Sequence, residues 1–194
     1  MNYTVSAIIP AGGTSSRFGK TNKLLEKIDG KEVIKYTVEA FEASNVQKII
    51  ICANVAIIDE LRNIFQDSSK VQIIEGGSSR QKSVFNGLNA SECDYVLIHD
   101  GARPMISTDL INLAIEEVVT KKALTVATKT IDTIKEVQDG KIIRTIDRAK
   151  LYNTQTPQAF QYDLIKDAHI KLYGQNFTDD AGISRKNRCG KTIW

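Results

Sequence analysis

The chain predicts an α/β fold, a mostly parallel sheet flanked by helices with a protruding β-arm. Three observations carry that prediction. Short β-branched apolar runs alternate with amphipathic stretches of helical period. The first run opens into a loop of Gly and Ser that closes on Arg17 and Lys23. After Thr128 the alternation gives way to two short runs joined across Asp139-Gly140.

The expected strands are Val5–Ile9, Lys48–Cys52, Val71–Ile74, Tyr95–Ile98 and Leu124–Ala127. Helices are expected between them at Val33–Ala43, Ile57–Gln66, Gln81–Ala90 and Asp109–Lys121. In the first helix Val33, Tyr36, Thr37, Ala40 and Phe41 fall on one face; in the last, Leu110, Leu113, Ala114, Glu117 and Val118 do so, with Ser107 or Thr108 as cap. Such βα alternation favours a parallel sheet covered on both faces, with ligands at the carboxyl ends of its strands. The glycine-rich loop, Glu75–Arg80 and His99–Pro104 all reach that edge. Thr130–Val137 and Lys141–Ile146 flank Asp139-Gly140, a strong hairpin signal. That hairpin is either an arm or an edge of the same sheet.

With 194 residues, 42% hydrophobic and 25% charged, the chain has the balance of one globular domain. A net charge of +3, from 26 basic and 23 acidic residues, is too even to argue for nucleic acid. No apolar run reaches membrane-spanning length, and the N-terminus lacks a signal pattern. Cys52, Cys93 and Cys189 are scattered, odd in number and without metal-ligand spacing, which points to a reduced, cytoplasmic setting. Cys52, in an apolar run, reads as core.

The opening loop lacks both the G-x-G-x-x-G fingerprint and a correctly spaced P-loop, which disfavours a Rossmann oxidoreductase and a P-loop NTPase. What remains, Pro10-Ala11-Gly12-Gly13 followed by Arg17 and Lys23, suits an anion: glycine admits backbone N–H groups and the cations neutralise charge. A plain surface turn is the structural alternative.

Five later segments follow this loop in order: Glu75–Val84, Val96–Pro104, Ile131–Lys135, Ile146-Asp147-Arg148 and Gln155–Phe160. Together with the loop they resemble the 2-C-methyl-D-erythritol 4-phosphate cytidylyltransferases of the non-mevalonate isoprenoid pathway, from Val5 to about Asp180. The resemblance implies a Rossmann-like fold of the nucleotide-diphospho-sugar transferase type, with CTP as co-substrate and Mg²⁺ as cofactor. It implies that Arg17, Lys23 and Arg148 are catalytic. Pro10, Ala11, Gly12 and Gly13 would cradle the triphosphate and touch the base, while Gly77, Ser78, Arg80 and Ser83 complete the cytidine pocket. Asp100 would bind Mg²⁺ and contact nucleotide and substrate. Arg103, Thr133 and Arg148 would hold the sugar phosphate, Thr133 and Arg148 coming from the arm of a second subunit in a homodimer.

Several of these residues have structural alternatives. Asp100 could cap the turn before Pro104, and Arg103 could be a surface ion pair of little worth. Arg148 could close the hairpin against Asp147 or Asp132, and Thr156-Pro157 could be a backbone turn. His99 reads as a hydrogen-bonded structural residue, and His169 receives no role. Ribitol-5-phosphate cytidylyltransferase shares most of the pocket motifs and is the alternative enzyme. One domain is expected over residues 1–181, with the arm at about 130–148. Residues 182–194 read as a basic, solvated tail, as in a truncated or frame-shifted product. A CTP-binding protein without turnover is the reading that such a tail motivates.

Overall fold

The computed structural model describes residues 2–13 and 22–186. In chain order the elements are β1 (Val5–Ala11), β2 (Lys27–Ile28), β3 (Lys31–Glu32), α1 (Val33–Glu42), β4 (Lys48–Ala53), α2 (Ile58–Ile64), β5 (Val71–Glu75), α3 (Arg80–Asn89) and β6 (Tyr95–Ile98). They continue with α4 (Thr108–Lys121), β7 (Ala123–Lys129), β8 (Lys135–Gln138), β9 (Lys141–Thr145), a 3-10 turn at Arg148–Lys150, β10 (Tyr152–Gln161), α5 (Tyr162–Lys171) and α6 (Asp180–Lys186).

The six-stranded sheet runs β5-β4-β1-β6-β10-β7. β5, β4, β1 and β6 are parallel, and β10 is antiparallel to both of its neighbours. The chain lays β4 and β5 on one side of β1, then crosses back and lays β6 on the other. The strand order therefore reverses at β1, and the crevice at its carboxyl end is the natural ligand site of such a sheet.

The period-2 alternation of the strands sorts the core into two layers. Ile8, Ile50 and Ile98 share one register row; Ala7, Ile49 and Leu97 share the next. The first row packs under α3 and α5 through Val84, Leu88 and Ile165, and the second under α1, α2 and α4 through Ile34, Phe41, Leu61, Ile115 and Val118. All five expected strands and all four expected helices are present. The buried faces of α1 and α4 are rotated from expectation: Ile34, Thr37, Val38 and Phe41 are buried on α1, and Ile111, Ala114, Ile115 and Val118 on α4. Leu113 lies outward on α4, beyond the stripe that the sheet covers. Ser107 is the cap, its hydroxyl accepting from Leu110 N at 3.2 Å.

β1 continues through Pro10 to Ala11, where the strand was expected to stop at Ile9. The carbonyl of Ile8 accepts from His99 N on the β6 side, so Pro10, two residues on, faces the same side. β6 has already ended there, and the missing proline N–H costs no ladder bond.

β10 was not expected. Its polar Thr-Gln-Thr-Pro-Gln stretch reads as a turn, but it enters the sheet with a cis Thr156–Pro157 bond and a register shift between Thr154 and Gln158. The hairpin is an arm: among the described residues β8 pairs only with β9, and both strands are exposed. Its turn has Asp139 at φ 49° and Gly140 at φ 74°, as the Asp-Gly signal requires. The expected solvated tail is corrected over residues 182–186, which form most of α6 with Ile183 and Ser184 buried. Residues 187–194 lie outside the described residues.

Helix α3 lies close on β1 because Gly87 has no side chain. A Cβ there would stand 2.6 Å from Ile8 Cγ2 and 2.9 Å from Cys52 Sγ, both groups fully buried. Alanine would gain about 1 kcal/mol of helix propensity. Overpacking between two fixed core side chains costs about 1–3 kcal/mol and dominates. Gly87→Ala should therefore lower the unfolding free energy in urea by about 1 kcal/mol or more; a stabilised variant would refute this packing account.

Candidate active site

Three loops converge at the carboxyl ends of β1, β5 and β6. After β1, Ala11 O accepts from Asn54 N at 3.1 Å and Gly12 O from Asn54 Nδ2 at 3.0 Å. Gly12 must be glycine, since a Cβ would lie 2.7 Å from Ser83 Oγ. Ser83 is fully buried; its hydroxyl accepts from Gly77 N at 3.0 Å and donates to Ser79 O at 2.9 Å. Ser83 thus fastens the Glu75–Arg80 loop to α3, a structural duty at a position expected to touch cytidine. Ser78 is exposed, and its hydroxyl lies 3.2 Å from Lys82 Nζ.

Asp100, just past β6, is the hub. Its Oδ1 accepts from Arg80 Nε at 3.0 Å and its Oδ2 from Arg103 Nε at 3.1 Å. Burial works against its charge, but the two guanidinium groups outweigh burial and hold the carboxyl below its ordinary value. Arg80 reaches the other way as well, donating from Nη1 to Asp180 Oδ2 at 2.7 Å. Burial disfavours the Arg80 cation, yet two carboxylates raise its pKa further. Arg103 also hydrogen-bonds Gln155 Oε1 on β10. Asp100 and Arg103 are therefore members of one ion-pair network, neither a lone turn cap nor a lone surface pair.

His99 supports this loop from beneath. The Arg103 carbonyl can only accept, so His99 Nε2 carries a proton and donates to it at 3.2 Å. Nδ1 of the neutral ring then accepts from Thr156 Oγ1 at 3.0 Å, and Thr156 Oγ1 in turn accepts from Asp100 N at 3.3 Å. Burial pushes the imidazole pKa down to about 4, outweighing the hydrogen bonds and the Asp100 charge that favour the cation, and the ring is neutral. Its expected structural role holds, and Thr156 is part of the same support.

Other expected residues lie elsewhere. Lys23 is exposed beside Leu24, whose N–H is held by Asn22 Oδ1 at 3.1 Å. Thr133 and Arg148 are exposed at the base of the arm, where Arg148 Nη1 donates to Ile131 O at 2.5 Å rather than pairing with Asp147 or Asp132. Among the described residues neither hydrogen-bonds to the Asp100 cluster. Arg17 lies outside the described residues. No group of three or more His, Cys, Asp or Glu is placed to hold a metal among the described residues. Asp180, Gln155 and His169 were missed; the Thr178-Asp179-Asp180 run stood in the sequence with no chemistry attached to it.

The family model of 2-C-methyl-D-erythritol 4-phosphate cytidylyltransferase matches residues 5–193. The chain belongs to this family. It is 41% identical over 192 residues to the 2-C-methyl-D-erythritol 4-phosphate cytidylyltransferase of Lachnoclostridium phytofermentans, covering 92% of this chain and 81% of that one. It is 42% identical over 189 residues to the enzyme of that name from Lachnospira eligens, covering 92% and 83%. The structure is similar to the 4-diphosphocytidyl-2C-methyl-D-erythritol synthase of Anaerococcus prevotii, with a TM-score of 0.85, 28% identity, and coverage of 98% of this chain and 85% of that one. The Asp100 cluster lies at the carboxyl edge of the parallel strands of this fold.

The His99 pKa has a direct consequence for stability. An unfolded histidine takes its proton near pH 6.5, the folded one only near about 4. Between those values the unfolded chain binds more protons, so stability is full above pH 6.5 and is lost as pH falls toward 4, by about 3 kcal/mol at most. Asp100 and Asp180, both depressed, add their own losses at lower pH, below the ordinary carboxylate range. Urea titrations between pH 7 and pH 4.5 should show a steeper loss for the wild type than for His99→Gln. Parallel curves would refute the assignment.

Proposed function

We propose that this protein transfers the cytidylyl group of CTP to 2-C-methyl-D-erythritol 4-phosphate. The observation that carries the proposal is Asp100 at the switch point, gripped by Arg80 and Arg103, in a chain of this family. A phosphate oxygen of the sugar phosphate attacks the α-phosphorus; the new O–P bond forms as the bond to the β-phosphate oxygen breaks, and pyrophosphate leaves. Negative charge gathers on the oxygens around the reacting phosphorus, so catalysis is positioning plus charge neutralisation. We assign that neutralisation to Arg17 and Lys23 and the grip on the sugar phosphate to Arg103, Thr133 and Arg148. The backbone from Pro10 to Gly13, with Gly77, Ser78 and Arg80, takes the nucleotide.

Mg²⁺ fits Asp100. The carboxylate is ionised, a third exposed, and each oxygen keeps a lone pair beyond its arginine bond. One carboxylate is enough where substrate phosphates complete the shell. Bound there, Mg²⁺ supplies charge neutralisation of phosphate oxygens. A homodimer that lends its arm is the form we assign. Val137, Ile142 and Ile143, exposed on that arm, support it. The free thiols Cys52 and Cys93, and the lack of a membrane-spanning helix among the described residues, are consistent with a cytoplasmic setting.

Incubation with CTP, Mg²⁺ and methylerythritol phosphate should release pyrophosphate, at least about tenfold faster than with ribitol 5-phosphate; the reverse preference would overturn the choice of substrate. Arg17→Ala should lower kcat about 100-fold or more while CTP affinity changes by only a few-fold, because its charge acts mainly in the transition state. An unchanged turnover number would defeat that assignment. Arg148→Ala should raise KM for the sugar phosphate, and an unaltered KM would remove it from the substrate site.

A further inference from the structure

Asp180 is fully buried, an expensive place for a carboxylate unless each oxygen has a strong partner. Both do. Oδ2 accepts from Arg80 Nη1 at 2.7 Å, and Oδ1 lies 3.2 Å from Nε2 of buried His169. Burial raises the pKa of this carboxyl, but the His169 hydrogen bond and the Arg80 charge outweigh it and keep it ionised.

Helix capping does not account for Asp180. Asp179 Oδ1 accepts from Gly182 N at 3.0 Å, one of the unpaired N–H groups of α6. The backbone N–H of Asp180 goes to Gln158 Oε1 on β10 at 3.0 Å. That bond fixes the main chain and leaves the carboxylate for side-chain partners. His169 is itself held from α3, its ring stacked on Phe85 with centroids 6.1 Å apart and planes 9° apart.

We infer that Asp180, backed by His169, is a positioning residue for the transfer reaction and acts through Arg80. Arg80 opens α3, and its guanidinium is stretched between two carboxylates: Nε on Asp100, Nη1 on Asp180. Two anchors on different elements fix the guanidinium plane. With the second anchor gone, a planar fork beside one carboxylate turns to pair with it bidentately. Arg80 would then close over both oxygens of Asp100 and withdraw them from the substrate side. Asp180, fully buried, acts through its side-chain partner: it keeps Arg80 from monopolising Asp100. The inference rests on the cytidylyl-transfer reading, within which it assigns a role to the Thr178-Asp179-Asp180 run and to His169.

The test is a double-mutant cycle read in kcat/KM for CTP. Asp180→Asn keeps the shape and removes the charge. It should lower kcat/KM at least about tenfold in the otherwise wild-type protein. In an Arg80→Ala background the same substitution should change kcat/KM by less than about twofold, because the residue it acts through is absent. A merely structural role predicts equal losses in both backgrounds, and that result overturns the inference, as does no loss in either. Should Asp180→Asn fail to fold by circular dichroism, His169→Gln serves in its place. It should lose at least about threefold alone and nothing further with Arg80→Ala, and additive losses again overturn the role. Wild-type turnover in the same assay judges the functional reading separately: an active wild type with additive variants sinks the positioning role alone.

Discussion

The site is organised by one carboxylate shared between two arginines. Asp100 draws Arg80 from the loop after β5 and Arg103 from its own loop, and Arg80 passes the constraint to Asp180 beyond β10. Two acids and two guanidinium groups balance in charge, which is what lets them lie half-buried or deeper at a sheet edge. Such a cluster is weak as a source of stability, because desolvation consumes most of the Coulombic gain. Its effect is on geometry. Removing any one member strands a charge on the others, so three segments far apart in sequence are held in a single arrangement.

The layer beneath is neutral and equally specific. His99 is buried without charge, receiving a proton bond from Thr156 and giving one to the Arg103 carbonyl. Thr156 in turn holds the N–H of Asp100. Each donor in this chain has one acceptor, so the imidazole tautomer is set by its neighbours. The antiparallel β10 makes this possible. It brings Gln155, Thr156 and Gln158 beside β6, where the first meets Arg103, the second His99 and the third the turn into α6. A parallel edge that ended at β6 would leave the cluster open on one side.

The scaffold was readable because its signals are local. The apolar runs Val5–Ile9 and Lys48–Cys52, the helical spacing of α1 and α4, and the Asp139-Gly140 turn each lie within a few residues. The same turn signal at Asp29-Gly30, where φ is 50° and 81°, was there to be read and marks the hairpin of β2 and β3. β10 was hidden because its sequence is polar and interrupted by Pro157, and only tertiary pairing makes it a strand. The Arg80–Asp180 pair spans one hundred positions, and neither periodicity nor composition carries such a distance. Arg80, Asp100 and Arg103 came to attention through ordered motifs, while their mutual geometry is a product of the fold. The buried Ile183 shows the same limit: a basic helix end looks like a solvated tail until an apolar side chain in it is buried by the fold.

Charge balance in the cluster also decides where phosphate must be met. Arg80 and Arg103 lie on the edge where a triphosphate would arrive, yet each is already paired with a carboxylate. A guanidinium beside an ionised carboxyl presents little net positive field a few ångströms away, since the two charges nearly cancel there. These arginines can orient a ligand through their remaining N–H groups, while much of their charge is committed to the two carboxylates. In the transfer we propose, neutralisation of the reacting phosphates is assigned to Arg17 and Lys23, which flank the glycine loop in sequence, to a divalent ion at Asp100 and to Arg148 at the arm's base. The separation has a physical advantage. Paired arginines keep the shape of the site, while in the proposed reaction the charge work on the phosphates falls to residues of the loop and the arm.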